Sequence, residues 1–212
     1  MSSHVRVPHL DDLDGASTAT VFTVLRDDEM DVEDAIWSMS SGTTSRFDST
    51  PWSDGNHYLL VANGANSQGY YDYSAEVTVG QIYSSGLVFN GGGAANADRL
   101  KYYADGSDVS LTFSNTIPAT LPTNIEQPFM IGDRNYSTNI PIKANISELF
   151  ILDTAKDADW QSTMHEMTIN NSTFLTFAAE ETEPAPEPTG VILEGDHSKP
   201  FYGDARFDRI RS

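Results

Sequence analysis

The chain has 212 residues, 39% of them hydrophobic, no cysteine and a formal net charge of −19 at pH 7. That length and apolar content suit one domain of ordinary size with some extra chain, and the lack of cysteine excludes a disulfide framework or a thiolate zinc site. The negative charge excludes a phosphate-binding surface, so nucleic acid is not an expected partner, and it suits a protein kept soluble by self-repulsion.

The opening residues, MSSHVRVPHLDDLDG, hold no apolar run that would serve as a signal peptide, and no later stretch reaches the roughly 18 apolar residues of a membrane span. The expected location is therefore the surface of a particle, or the outside of a cell reached without a signal peptide, with no membrane contact. Ten short strands follow one another: His4 to Val7, Thr18 to Leu25, Ala35 to Ser40, His57 to Asn63, Tyr70 to Val77, Gln81 to Phe89, Asp98 to Ala104, Asp108 to Phe113, Pro128 to Asp133 and Lys143 to Leu152. They are rich in β-branched and aromatic residues and are punctuated by Gly, Asn and Asp, which predicts an all-β, two-sheet antiparallel sandwich. Asp105-Gly106 supplies the positive φ angles of a tight hairpin. A single short helix is expected late, within TAKDADWQSTMHEMT, where Trp160, Met164 and Met167 form one apolar stripe at i, i+4 and i+7.

Between the second and third strands the chain reads DEMDVEDAIW, from Asp28 to Trp37. On a strand, Glu29, Asp31 and Glu33 would project from one face, and retaining glycosidases place two carboxyl groups roughly 5–5.5 Å apart. The stretch resembles the E-x-D-x-E signature of family-16 glycoside hydrolases, which implies Glu29 and Glu33 as the catalytic pair. Against that, six acids fall in the eight positions from Asp27 to Asp34, and a strand carrying so many like charges is poorly stabilised. The favoured reading is an acidic surface loop with no catalytic residue, and clustered carboxylates also keep calcium open as a ligand. No other cofactor is expected. His4, His9, His57, His165 and His197 are scattered without the spacing of a metal pair, so no metal site is assigned. The glycine-rich NGGGAANAD, from Asn90 to Asp98, lacks the Gly-Lys-Ser/Thr of a phosphate loop and reads as a turn that opens no helix.

The stretch RFDSTPWSDGNHYLL offers a ligand site. Trp52 presents an aromatic face of the kind that stacks on a pyranose, with Asp54 and Asn56 placed to bond its hydroxyls, and the loop DRNYSTN adds Arg134 and Tyr136. The candidate ligand-binding residues are thus Trp52, Asp54, Asn56, Arg134 and Tyr136, and Tyr70, Tyr71 and Tyr73 form an aromatic stripe that could extend the site. The alternative is that these rings pack the sandwich and the polar residues make turns.

Past residue 175 the composition changes. Residues 176–190 include EETEPAPEPTG, an acidic, Pro-rich linker, and residues 191–212 form a tail with apolar anchors and the basic residues Lys199, Arg206, Arg209 and Arg211. Too short to fold alone, this tail is expected to dock on another structural subunit.

Three stretches in order resemble the laminin-G-like branch of the concanavalin A-like lectin/glucanase jelly rolls: GLVFNGGGAANADRLKYYADGSDV (Gly86 to Val109), PFMIGDRN (Pro128 to Asn135) and ISELFILDTAKDADWQSTM (Ile146 to Met164). The resemblance covers Val5 to Ile169 and implies a jelly roll over residues 1–175. That family opens with one strand more than this chain supplies before His4, a place that the tail or a neighbouring molecule's strand would fill. Together these readings give a non-enzymatic structural or binding module. Its expected setting is a surface-exposed virion protein, such as a phage capsid decoration, fibre or tail component, that binds glycans. The alternative is a family-16-like carbohydrate-active enzyme or its carbohydrate-binding module.

Overall fold

The structure is a computed structural model in which residues 4–29, 35–123, 127–134 and 142–170 are described. The chain divides into Met1–Thr176 and Phe177–Ser212, and the described residues belong to the first unit; the linker and tail lie outside them.

Two antiparallel sheets make up the sandwich. The larger runs in the order β1 (Val5–Val7), β11 (Phe129–Ile131), β3 (Trp37–Gly42), β4 (Ser45–Pro51), β5 (Asn56–Asn63), β6 (Gln68–Asp72) and β10 (Thr112–Ser114). The smaller runs β12 (Ala144–Leu152), β2 (Thr18–Asp27), β7 (Ile82–Asn90), β8 (Leu100–Ala104) and β9 (Ser107–Val109). This is the two-sheet antiparallel sandwich expected from the strand pattern, and the jelly roll that the resemblance implies. The Asp105-Gly106 hairpin is present: both residues have positive φ, 47° and 73°, and Ala104 pairs with Ser107 across the two-residue loop between β8 and β9. β1 lies at a sheet edge, paired only with β11 among the described residues, and Val5 there is 57% exposed.

Inward-facing side chains alternate with outward ones along each strand. The inner faces bring together Val21 and Leu25 of β2, Trp37 and Met39 of β3, Phe47 of β4, Leu59 and Val61 of β5 and Leu87 and Phe89 of β7. Trp37 stacks on Phe129 with ring centroids 5.7 Å apart and planes 14° apart, and it tilts against Phe47 at 4.9 Å. At one end this core turns polar. His57 is hydrogen-bonded through Nε2 to Ser49 Oγ at 2.8 Å and through Nδ1 to the Tyr71 hydroxyl at 2.7 Å. Nearby, the Tyr73 hydroxyl donates to Asp27 at 2.8 Å and lies 2.5 Å from that of Tyr83. Burial pushes the His57 imidazole down to about 3, raises the Asp27 carboxyl, and raises Tyr71, Tyr73 and Tyr83 well above the usual phenol range.

Several elements depart from the expectations. The stretch RFDSTP, absent from the expected strands, belongs to β4: on its outer face Arg46 and Asp48 neutralise each other at 2.8 Å, which lets a charged segment sit in mid-sheet. The expected strand Tyr70 to Val77 stops at Asp72, whose carboxylate caps a single helical turn, α1 (Tyr73–Glu76), by accepting from the Ser74 amide at 3.0 Å. A second one-turn helix, α2 (Asn96–Arg99), opens at the end of the glycine-rich stretch, contrary to the reading of a helix-free turn, because the Asp98 carboxylate accepts the Ala95 amide at 3.0 Å. The expected strand Asp108 to Phe113 divides where the chain passes from the smaller sheet (β9) to the larger (β10).

The late helix is α3 (Ala158–Thr168), capped by Asp157, whose carboxylate accepts the Trp160 amide at 2.9 Å. It lies on the outer face of the smaller sheet: Trp160 meets Phe22 edge-on at 5.8 Å, and His165 Nδ1 is 2.9 Å from Ser84 Oγ. The expected apolar stripe is only partly used. Met167 stays 50% exposed, while Gln161 is fully buried against Gly86 with neither amide atom hydrogen-bonded. A Cβ added at Gly86 would collide with Gln161 Oε1, so a strand residue without a side chain is what lets the helix approach. No helix among the described residues is long and apolar enough to cross a membrane.

Two predictions follow from this packing. Gly86→Ala is expected to destabilise the fold by about 1–3 kcal/mol, the usual cost of overpacking, and Gln161→Ala in the same chain to restore part of the loss; thermal unfolding of both single variants and the double variant measures that coupling. His57 has an ordinary value near 6.5 unfolded and about 3 folded, so it carries no penalty above pH 6.5. Below that the unfolded chain takes up a proton that the folded one refuses, and stability falls until pH 3. Between pH 7 and pH 5 this amounts to about 2 kcal/mol. Asp27 opposes it, since its raised value favours the folded chain as pH falls toward the ordinary carboxylate range. Denaturant unfolding of the parent and of His57→Gln at both pH values tests this: the variant should lose the His57 part of the pH slope, and an unchanged slope would refute the assignment.

Candidate functional site

The outward residues of the larger sheet follow directly from the inward ones. With Phe47, Leu59, Val61 and Tyr71 in the core, Arg46, Asp48 and Thr50 of β4, Tyr58 and Leu60 of β5, and Gln68 and Tyr70 of β6 face the other way. Strand register then sets Thr50, Tyr58, Tyr70 and Thr112 in one row across four strands, and Asp48, Leu60 and Gln68 in the next.

Trp52 reaches this face from the β4–β5 hairpin. Its turn is built by sequence: Gly55 takes φ +84°, its amide donates to the Trp52 carbonyl at 3.0 Å, and the Trp52 amide donates to the Asn56 carbonyl at 2.9 Å. Asp54 holds the turn by accepting the Asn56 amide at 3.0 Å. Its second oxygen accepts the Tyr58 hydroxyl at 2.6 Å and so positions that ring. Slight burial works against the Asp54 charge, but the Tyr58 hydroxyl and the Asn56 amide outweigh it and hold the carboxyl below its ordinary range. The same bond, with some burial, raises the Tyr58 phenol to about 12.

A row of rings results. Trp52 meets Tyr58 edge-on at 6.1 Å, and Tyr58 lies 5.3 Å from Tyr70 at 33°. Arg134, from the segment after β11, sets its guanidinium 5.0 Å from the centre of the Trp52 ring. Beside this row is a pocket of about 240 Å³ lined by Arg46, Trp52, Tyr58, Leu60, Asn66 and Gln68. Arg46 is 5% exposed and gripped by Asp48 through two bonds, at 2.8 and 3.3 Å, so it forms the floor as half of an ion pair.

Of the residues anticipated from sequence, Trp52 and Arg134 meet in this site, while Asp54 and Asn56 build the turn beneath it; Tyr136 lies outside the described residues. The tyrosine stripe divides: Tyr70 faces outward, while Tyr71 and Tyr73 are buried in the core, 5% and 1% exposed. Tyr58, Asn66 and Gln68 were not anticipated, although strict alternation through His57–Leu60 and Gln68–Tyr71 would have placed Tyr58 and Gln68 on Trp52's side.

The acidic stretch takes another place. Glu29 lies beyond the end of β2, exposed and ion-paired with Lys143, and Arg26 pairs with Asp28 at 2.8 Å. Asp31 and Glu33 lie outside the described residues. Among the described residues no three His, Asp or Glu side chains stand close enough to hold a metal ion. A larger hollow, about 410 Å³, runs along β12 beside Val5 and Ile131; among the described residues that line it, Glu148 is the one charged side chain and none is aromatic.

No known family profile matches the sequence, and no curated protein matches it. Solved structures do share its fold. Domain 4 of AbnA, a GH43 extracellular arabinanase from Geobacillus stearothermophilus solved in complex with arabinotriose, is 17% identical, with a TM-score of 0.50 over 76% of this chain and 72% of that one. A heptameric SAP-like pentraxin from Limulus polyphemus is 16% identical, with a TM-score of 0.51 over 76% of this chain and 80% of that one. Domains LG4-5 of the mouse laminin α1 chain are 15% identical, with a TM-score of 0.52 over 74% of this chain and 41% of that one. The described residues therefore have the concanavalin A-like jelly-roll fold, with laminin G domains among their structural neighbours.

Proposed function

We propose that this chain is a non-enzymatic, lectin-like binding module that takes a glycan on the outer face of its larger sheet. The observation that carries this is the row Trp52–Tyr58–Tyr70 beside a pocket with two amide side chains, Asn66 and Gln68. Aromatic faces cover the C–H faces of sugar rings, and amides donate to and accept from hydroxyls together. The fold shared with an arabinanase domain solved with arabinotriose supports the reading. The position of Glu29, off any strand and paired with Lys143, favours it over hydrolysis.

The wider setting belongs to the same proposal: a surface-exposed virion component attached to a neighbouring structural subunit through residues 191–212. Charge supports it. The tail holds four basic and four acidic residues, so the whole net charge of −19 resides in residues 1–190, and a neutral, apolar-anchored segment joins an acidic body to a partner without self-repulsion. Truncation after Gly190 should abolish incorporation into the assembly while leaving the melting temperature of the body unchanged; unaltered assembly would refute the docking role.

For the site, a glycan array followed by calorimetry on the best binder is the test. Trp52→Ala and Tyr58→Ala should each weaken binding by about tenfold or more, the loss of one stacking contact, with the fold retained by circular dichroism. Binding unaffected by both, or glycan hydrolysis that disappears in Glu29→Gln, would overturn the reading.

A further inference from the structure

We infer that the glycan class this site takes is uncharged, and that it is read as an extended oligosaccharide rather than as a single sugar. The inference rests on the glycan reading above and concerns the charges around the same pocket.

Among the described residues two cations border the pocket, and each is already engaged. The Arg46 guanidinium is held by both oxygens of Asp48, and Thr50 Oγ1 donates to the same carboxylate at 3.4 Å. Arg134 is 6% exposed and lies over the Trp52 ring. For Arg46 to receive a ligand carboxylate or sulfate it would have to abandon Asp48, and leaving that carboxylate buried without its cation is costly. Among the described residues, the charge that does face solvent at this site is negative. Asp54 is exposed at the rim, bonded to Tyr58 and held ionised by that bond, and Asp72 is exposed where β6 ends, opposite Asn56. With a net charge of −19 on the whole chain, long-range attraction for an acidic glycan is absent as well. What the pocket offers instead, two amides, a phenol hydroxyl and aromatic faces, suits neutral hydroxyl-rich rings.

The extent of the site points to more than one sugar. At about 240 Å³ the pocket is smaller than the roughly 300–1,000 Å³ of sites that enclose a drug-sized ligand, so it houses one ring. The aromatic surface continues past it. From Trp52 to Tyr58 to Tyr70 the steps are 6.1 and 5.3 Å, and Tyr70 pairs in register with Thr112 on the edge strand β10. A second sugar linked to the first would lie over Tyr70, next to Thr112, which is exposed on the last described strand of the sheet.

The test uses the full chain on an array of neutral arabino-, xylo-, gluco- and galacto-oligosaccharides of increasing length, beside their uronate, sialyl and sulfate counterparts. The expected result is binding confined to neutral members, acidic counterparts weaker by about tenfold or more, affinity rising from mono- to trisaccharide, and little change between low and high salt. Asp54→Asn, which keeps an acceptor for the Tyr58 hydroxyl, should narrow the gap between neutral and acidic ligands. Tyr70→Ala should reduce trisaccharide affinity while sparing the monosaccharide. Preference for sialylated, uronate or sulfated glycans that fades with salt would overturn this inference and leave the glycan site standing. Binding to no member of the array would overturn both.

Discussion

The sandwich depends on burying one face of each sheet against the other. Once Trp37, Phe47, Leu59, Tyr71 and Phe129 are committed to the interior, the period of two in a strand leaves no freedom about what faces outward. Slipping β5 by one residue would bury Tyr58 and expose Leu59, so the core that stabilises the fold also holds the register of the candidate site. Trp37, stacked on Phe129 and tilted on Phe47, links β3, β11 and β4 in this way.

The two outer faces are used differently. On the smaller sheet α3 covers the surface, with Trp160 on Phe22 and a buried glutamine fitted to the bare backbone of Gly86. On the larger sheet the outward residues include a buried ion pair, a carboxylate that serves as a buttress and three aromatic rings. Charges there are spent on structure: Asp48 steadies Arg46, and Asp54 steadies both its own turn and Tyr58. What remains for a ligand is aromatic and neutral polar surface, a combination suited to hydroxylated, uncharged molecules.

The polar end of the core shows what burial does to titratable groups. His57, Asp27, Tyr71, Tyr73 and Tyr83 share a low-dielectric region in which the neutral form of each is favoured. Their hydrogen bonds to one another make the cluster tolerable. It binds β4, β5 and β6 to α1 and to the end of β2, the strand end from which the acidic stretch departs.

Much of this protein was legible in the order of its residues. The alternation of apolar and polar residues, the Asp105-Gly106 turn and the run from Ile146 into an acid-capped helix determined a two-sheet antiparallel sandwich and the laminin-G-like resemblance, because strand period and turn chemistry are local properties. Trp52 could be singled out from the sequence because an aromatic ring followed by Ser-Asp-Gly-Asn has the chemistry of a sugar contact. What sequence alone left open was which residues stand beside it. That Arg46 and Asp48 neutralise each other inside a strand, that Tyr70 faces outward while Tyr71 packs inside, and that Arg134 lies over Trp52 depend on register and on contacts between residues distant along the chain. Only the packing of the two sheets decides such contacts, since they arise from which strands become neighbours rather than from any short stretch of sequence.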